Sequence, residues 1–368
     1  MMLQRMVKIA RWGSKLLWQR PRGWHALVYN TLMAKAKVTK PLLMPCHISI
    51  EPTNVCNLRC PVCETGNHSM ERPSGMMSLE DFKEIIDKVS PYSQSLMFYF
   101  MGEPFLNPYA YEMIHYARQK GMYVETCTNG ERVDPQALMN SGINRISFQI
   151  GGMTQESHEV YRVKGDLSKT LEKLYALVKL NRELGSPVEI EAGFIVMKHN
   201  EHEVPLFKKW AAESGVELVQ VVKPCVRNVE EGKQFLTESP EYWIYDKSKF
   251  NQGVLTPSSL PDNECTWVWT STLVNWDGEV IPCCRDAHGH HGTGNLLEQT
   301  LPEIWNGDKM VAFRRQITQA QGQVEICKLC SGFGIPLLVQ ANYQSDNSFE
   351  ISPTPPKPPQ KIIEIKPV

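Results

Sequence analysis

The sequence predicts an α/β fold: a parallel sheet forming a partial (β/α)6 barrel, followed by a small C-terminal α+β domain. Three observations carry this reading. From His47 onward short β-rich runs alternate with longer helical patterns, as βα units do. That rhythm stops after six strands, short of the eight that a closed barrel needs. It gives way, after an irregular stretch, to a cysteine-rich segment with a hairpin signal at Asp277-Gly278.

The six strands are read at HISIEP (47–52), LMFYFM (96–101), YVETCT (123–128), RISFQI (145–150), VEIEAGFIV (188–196) and LVQVVK (218–223). Helices are predicted to begin near Ser78, Pro108, Asp134, Ser168 and Glu203. Ser78 is a natural N-cap, and Glu80 and Asp81 behind it suit the positive end of a helix. These repeats define a barrel over 44–224, and 225–262 reads as a linker or cover. In 263–335 the stretch WVWTSTLVNWDGEVIPCC is predicted to be a hairpin, with a helix over roughly Leu301 to Thr318. Residues 336–368, rich in Pro and Lys, read as a disordered or polyproline tail.

Composition narrows the class. A chain of 368 residues, 42% hydrophobic, can bury a full core without disulfides. Eleven cysteines would suit a secreted framework, but the opening residues lack an apolar core and a cleavage site. A reducing cytoplasm is therefore expected, where cysteines at short gaps read as metal ligands. The net charge of -1 hides an asymmetry, since residues 1–50 hold nine Lys or Arg and no Asp or Glu. Within 1–43, Leu3, Met6, Ile9, Trp12, Leu16 and Leu17 recur near helical spacing among Arg5, Lys8, Arg11 and Lys15. Such a basic amphipathic helix either touches the inner face of a membrane through residues 1–40 or docks on the protein itself. Without a recognised binding fold, a nucleic-acid partner is not expected.

The chemistry lies in the cysteines. Cys56, Cys60 and Cys63 follow the first strand, and in parallel βα architectures chemistry gathers at that end. Three thiolates leave a [4Fe-4S] cluster one iron short of protein ligands, and that open iron can chelate a molecule with an amino and a carboxylate group. The motif CNLRCPVC resembles the signature of the radical S-adenosylmethionine (SAM) superfamily. That resemblance implies a cluster on Cys56, Cys60 and Cys63, with SAM on its open iron. Val62 stands where the family often has an aromatic residue, and still supplies an apolar wall.

Further elements take their roles from the same resemblance. Gly102, Glu103 and Pro104 are similar to the family's GGEP element, implying that backbone and carboxylate hold the SAM ammonium. Asn129 closes the third strand, where a simple Asn-Gly turn is an equal reading. Ser147 and Gln149 share one face of the fourth strand, which the family uses for the SAM ribose or carboxylate. Arg162 resembles a basic residue aimed at the SAM carboxylate, and Asn200 lies in what resembles an adenine-side loop.

Cys265, Gly278 and Cys283, with Cys327 and Cys330, resemble the opening of the SPASM pattern. Four thiolates would close a second, auxiliary [4Fe-4S] cluster. Cys330 is the last cysteine, so the segment resembles the shortened, twitch version, with spacing similar to a radical SAM dehydrogenase of an aminocyclitol alcohol. Cys284 competes with Cys283 as a ligand, and a structural zinc site is the rival for all four. Cys46, Cys127 and Cys225 read as buried thiols, and His288, His290 and His291 as a solvated loop.

The resemblance implies reductive cleavage of SAM and hydrogen abstraction from substrate, with an electron donor such as flavodoxin or ferredoxin. A closed second cluster points to oxidation: of a sugar, cyclitol or lipid-linked alcohol, or alternatively of a peptide through crosslink or thioether formation. Residues 1–45 do not read as the winged helix of many peptide-modifying relatives. An iron–sulfur electron carrier is the non-enzyme alternative.

Overall fold

The computed structural model describes residues 21–259, 262–332 and 339–340. Its strands are β1 (His47–Ile50), β2 (Ser95–Met97), β3 (Tyr123–Thr128), β4 (Arg145–Ile150), β5 (Glu189–Ile195), β6 (Leu218–Val222), β7 (Ser271–Val274), β8 (Glu279–Ile281), β9 (Gly294–Asn295) and β10 (Val339–Gln340). Helices Leu79–Val89, Ala110–Gln119, Pro135–Ser141, Leu167–Glu183 and Val204–Ser214 alternate with β1 to β6, giving the six strands and five intervening helices expected. Their starts lie within two residues of the predicted ones. Ser78 caps the first as expected, its Oγ accepting from the Asp81 N–H at 3.0 Å.

Two compact units emerge, and β3 crosses the boundary between them in sequence. The first unit draws on residues 21–55, 70–125 and 259–332. In it β1 pairs in parallel with β2, β2 with the first half of β3, and β1 on its other side with β7. Then β8 and β9 extend the sheet antiparallel. The cysteine-rich region is thus built directly onto β1. The hairpin is shorter than expected, because Trp267–Thr270 forms a helical turn and only β7 and β8 pair around the Gly278 turn. Gly278 has φ +85, which suits glycine.

The helix expected over Leu301–Thr318 is split into Leu301–Trp305 and Asp308–Ala320. Gly307, extended at ψ 160, begins the second segment, and the Asn306 amide donates to the Pro41 carbonyl at 3.0 Å. Arg314 locks this region. Fully buried, it lies 4.0 Å over the Trp305 ring and donates to the carbonyls of Val268, Trp305 and Thr39. On the helix Pro21–Lys35, Ala26, Asn30 and Ala34 are buried while Val28 and Leu32 are exposed. The amphipathic pattern of the first 20 residues lies outside the described residues.

The second unit draws on residues 56–69, 126–258 and 339–340. Here β4, β5 and β6 pair in parallel, and β10 adds antiparallel to β6. Two residues of the predicted tail therefore join a sheet, and the rest of it lies outside the described residues. The interior stacks Phe194, Phe207 and Trp210, all fully buried. The 225–258 stretch is irregular, as expected, with short helices at Val229–Phe235 and Lys247–Asn251. Tyr245 staples it, its hydroxyl accepting from the Val226 N–H and donating to the Val226 carbonyl.

Candidate functional site

In the second unit, the loop 56–69 folds back on itself. The Cys63 N–H donates to the Cys60 carbonyl at 3.2 Å and the Asn67 N–H to the Cys63 carbonyl at 2.9 Å. Gly66 crosses Cys60 so closely that a Cβ on it would lie 2.4 Å from the Cys60 carbonyl oxygen and 2.5 Å from its nitrogen. Only glycine fits there.

Each thiol of the trio has a hydrogen-bond donor. The Leu58 N–H points at Cys56 Sγ (3.4 Å), an Arg162 guanidinium nitrogen at Cys60 Sγ (3.7 Å), and the Gly66 and Thr65 N–H groups at Cys63. Burial pushes the Cys63 thiol up, and those backbone donors partly offset it. Donors aimed at sulfur suit thiolate ligands rather than neutral thiols, so the trio fits an iron–sulfur cluster. Leu58 and Val62, both buried, supply the apolar wall.

The loop is anchored from three sides. Asn57 donates to Glu131 Oε2 and accepts from the Asn129 amide, each at 2.9 Å. The Arg59 N–H reaches the Val163 carbonyl at 3.0 Å, and Glu64 pairs with Arg227 at 2.6 Å. Asn129, predicted as a ligand contact or a turn residue, therefore positions the cysteine loop. Asn57, Glu131 and the Glu64–Arg227 pair were missed in the sequence. Their signal was proximity, since Asn57 and Glu64 stand within or directly beside the cysteine motif.

Ser147 and Gln149 share a face as expected, but they belong to a network. Gln149 donates to Ser147 Oγ (2.8 Å), which donates to Glu191 (2.6 Å), and Glu191 also pairs with Arg145. Asn200 is fully buried and its amide braces backbone: it accepts from Met197 N–H and donates to the carbonyls of Gly151 and Ile195. Its polar atoms serve the backbone after β4, so Asn200 braces the loop that resembles an adenine-side loop.

In the first unit, Gly102 has φ +78, and a Cβ there would sit 2.5 Å from the Thr53 carbonyl and 2.7 Å from that of Val55. The Glu103 N–H donates to the Val55 carbonyl at 2.8 Å. Its buried carboxylate accepts from the Phe105 N–H at 3.3 Å, opening the turn Pro104–Leu106. The element expected to meet an ammonium is thus a buried carboxylate on a glycine-dependent turn. Nearby, Arg72 grips Glu51 with two hydrogen bonds of 2.9 and 2.8 Å and donates to the Ala287 carbonyl at 2.8 Å. This buried pair was also missed, although Glu51 is the first acidic residue in the chain.

The same unit gathers the distal cysteines. Burial pushes Cys265 up and Cys327 to about 12, and each is raised further by Cys330. Cys283 is raised by its hydrogen bond to Cys284, and Cys265 adds to that. These thiols are therefore close enough to feel one another's charge. The N–H groups of Val268 and Trp267 point at Cys265 and that of Arg285 at Cys283 Sγ (3.5 Å), again the setting of thiolate ligands. Among the described residues no three His, Cys, Asp or Glu side chains converge on a single-ion site. Cys46 is buried, its thiol pushed up to about 12 by burial, and donates to the Thr270 carbonyl. Cys127 and Cys225 are half-buried. His290 is exposed and pairs with Glu71 at 2.8 Å.

Comparison with known proteins matches residues 50–211 to the Radical SAM superfamily and 265–331 to an iron–sulfur cluster-binding domain, SPASM. The chain is 24% identical over 323 residues to an AdoMet-dependent heme synthase of Methanosarcina barkeri, covering 77% of this chain and 90% of that protein. It is 24% identical over 297 residues to the mycofactocin maturase MftC of Mycobacterium ulcerans, covering 75% and 78%. Streptococcus suis SuiB, solved with its precursor peptide SuiA, shares the fold at TM-score 0.58 and 12% identity, covering 81% and 74%.

Proposed function

Since this chain belongs to the radical SAM superfamily and carries a SPASM-type cluster-binding region, we propose that it oxidises a substrate carbon after hydrogen abstraction. When bound, SAM and the cluster on Cys56, Cys60 and Cys63 supply the abstracting 5'-deoxyadenosyl radical. The rest is positioning. By its motif, Glu103 on the glycine-dependent turn of the first unit is the proposed partner of the SAM ammonium. Ser147 and Gln149 end a polar ladder that can meet ribose hydroxyls, while Asn129 holds the Asn57 side chain of the cysteine loop and Asn200 holds the Gly151 backbone.

The observation behind the oxidative reading is the gathering of the distal cysteines around Cys265, which lies close enough to Cys283, Cys327 and Cys330 for their charges to be felt. Four thiolates close an auxiliary cluster to substrate and leave it the role of electron acceptor. For a secondary alcohol, one hydrogen atom leaves the carbinol carbon, then one electron passes to the acceptor and one proton to solvent, giving the ketone. A flavodoxin- or ferredoxin-class donor provides the initial electron. Sugars, cyclitols and lipid-linked alcohols are the first substrate class. A peptide is the second, favoured by the likeness to MftC and to peptide-bound SuiB.

The test is anaerobic reconstitution followed by iron counting and product analysis with deuterated alcohols and with peptides. About eight irons per chain and deuterium in 5'-deoxyadenosine are expected. Four irons with a zinc, or no 5'-deoxyadenosine with either substrate class, would leave the oxidative reading without support.

A further inference from the structure

We propose that Arg162 tunes the reduction potential of the cluster held by Cys56, Cys60 and Cys63, acting as a charged hydrogen-bond donor to the Cys60 sulfur. The inference rests on the reading that the trio holds a cluster. Backbone N–H groups point at Cys56 and Cys63, and a guanidinium points at Cys60, at 3.7 Å. Among the described residues no carboxylate pairs with Arg162, and its Nε is buried without a hydrogen-bond partner.

Arg162 is held in place. Its N–H donates to the His158 carbonyl at 2.9 Å, its carbonyl accepts from Gly165, and its guanidinium lies 5.3 Å from the Tyr161 ring centroid. A Cβ on Gly151 would lie 2.7 Å from Arg162 Cγ, so the glycine makes room for the stem. The next residue, Val163, accepts from Arg59 inside the cysteine loop.

Arginine keeps its charge at any working pH. Reduction adds one electron, from a flavodoxin- or ferredoxin-class donor, and hence one negative charge beside this cation. Hydrogen bonds to the sulfurs and the local net charge set such potentials, and little water screens this contact. Arg162 therefore favours the reduced form before any SAM is bound. This differs from the carboxylate-anchor expectation, which acts only with SAM present.

The experiment is potentiometry followed by electron paramagnetic resonance on the reconstituted full chain without SAM. It compares the parent with Arg162→Met, which keeps the stem, and Arg162→Gln. At a fixed potential the reduced-to-oxidised ratio of the first cluster should fall about tenfold in both, or about 59 mV for a one-electron couple. The auxiliary signal should stay put. An unshifted midpoint in an iron-replete variant, or an equal shift at both clusters, overturns the role. So does loss of iron from both variants with secondary structure retained, which would make Arg162 structural. If the parent shows no signal from the trio, the underlying cluster reading fails instead.

Discussion

The two cysteine sets are assembled by opposite routes. Cys56, Cys60 and Cys63 lie within eight residues, and local backbone geometry gathers them: Gly66 crosses over Cys60, and nearby N–H groups point at the sulfurs. Cys265, Cys283, Cys327 and Cys330 span 66 residues: one precedes the helical turn Trp267–Thr270, one follows β8, and two lie at and after the end of the 3-10 turn Glu325–Cys327. Tertiary packing must hold them, and it does so through Arg314 between Trp269 and Trp305 and the core of Val268, Phe313, Ile317 and Val324. The local set should therefore respond to changes in its loop. The distal set should respond to anything that loosens its unit.

The largest effects come from the thiols. Cys60→Ala should remove about half of the iron and abolish 5'-deoxyadenosine formation. Cys327→Ala should also lose about half of the iron, but keep 5'-deoxyadenosine formation while losing oxidised product. If both variants fail alike, the division into generator and acceptor is wrong. The Cys283–Cys284 pair sharpens this further. Their shared hydrogen bond draws thiolate character toward Cys284. A bound iron leaves no proton to share, so the backbone donor and the lower exposure of Cys283 should decide. Cys283→Ala should lose auxiliary iron and Cys284→Ala should keep it, read by iron content and Mössbauer spectra.

How much was legible follows the same division. The alternation of strands and helices and the Ser78 cap were readable because each is a local pattern, a period or a capping residue. The split at Asn306-Gly307 was not, because the Pro41 carbonyl that takes the Asn306 amide lies 265 residues away. The Arg72–Glu51 grip, 21 residues apart, and the Glu64–Arg227 pair, 163 apart, carry no periodic signal. Asn200 joins both kinds: its loop position came from a motif, while the Gly151 carbonyl that its buried amide meets lies 49 residues away.

A smaller effect tests the loop itself. Gly66→Ala places a methyl against backbone atoms of Cys60, which cannot swing aside as a side-chain tip would. Overpacking of this kind costs about 1–3 kcal/mol. Urea denaturation should register that loss, with iron missing from the first set and the auxiliary signal intact. Equal loss from both sets would mean that the trio is not locally held.

The smallest effect is a pH dependence carried by burial. His47, on β1, is buried against Ser95, and burial lowers its pKa to about 4 from an ordinary 6.5. His158 is lowered to about 3, chiefly by burial and then by Arg162, and its Nδ1 accepts from the Gly151 N–H. For both, the folded value lies below the unfolded one. Between them the unfolded chain binds more protons, so stability is present above the unfolded value and is lost as pH falls toward the folded one. From pH 7.5 to 5.5 each histidine should remove about 1.4 kcal/mol. His47→Gln should flatten the parent's slope by about that much in denaturation midpoints measured anaerobically at the two pH values. His158 continues to act in the same window, so the slope should shrink without vanishing. An unchanged slope would mean that His47 reaches water or a proton donor in the folded chain, and that β1 is looser than its burial implies.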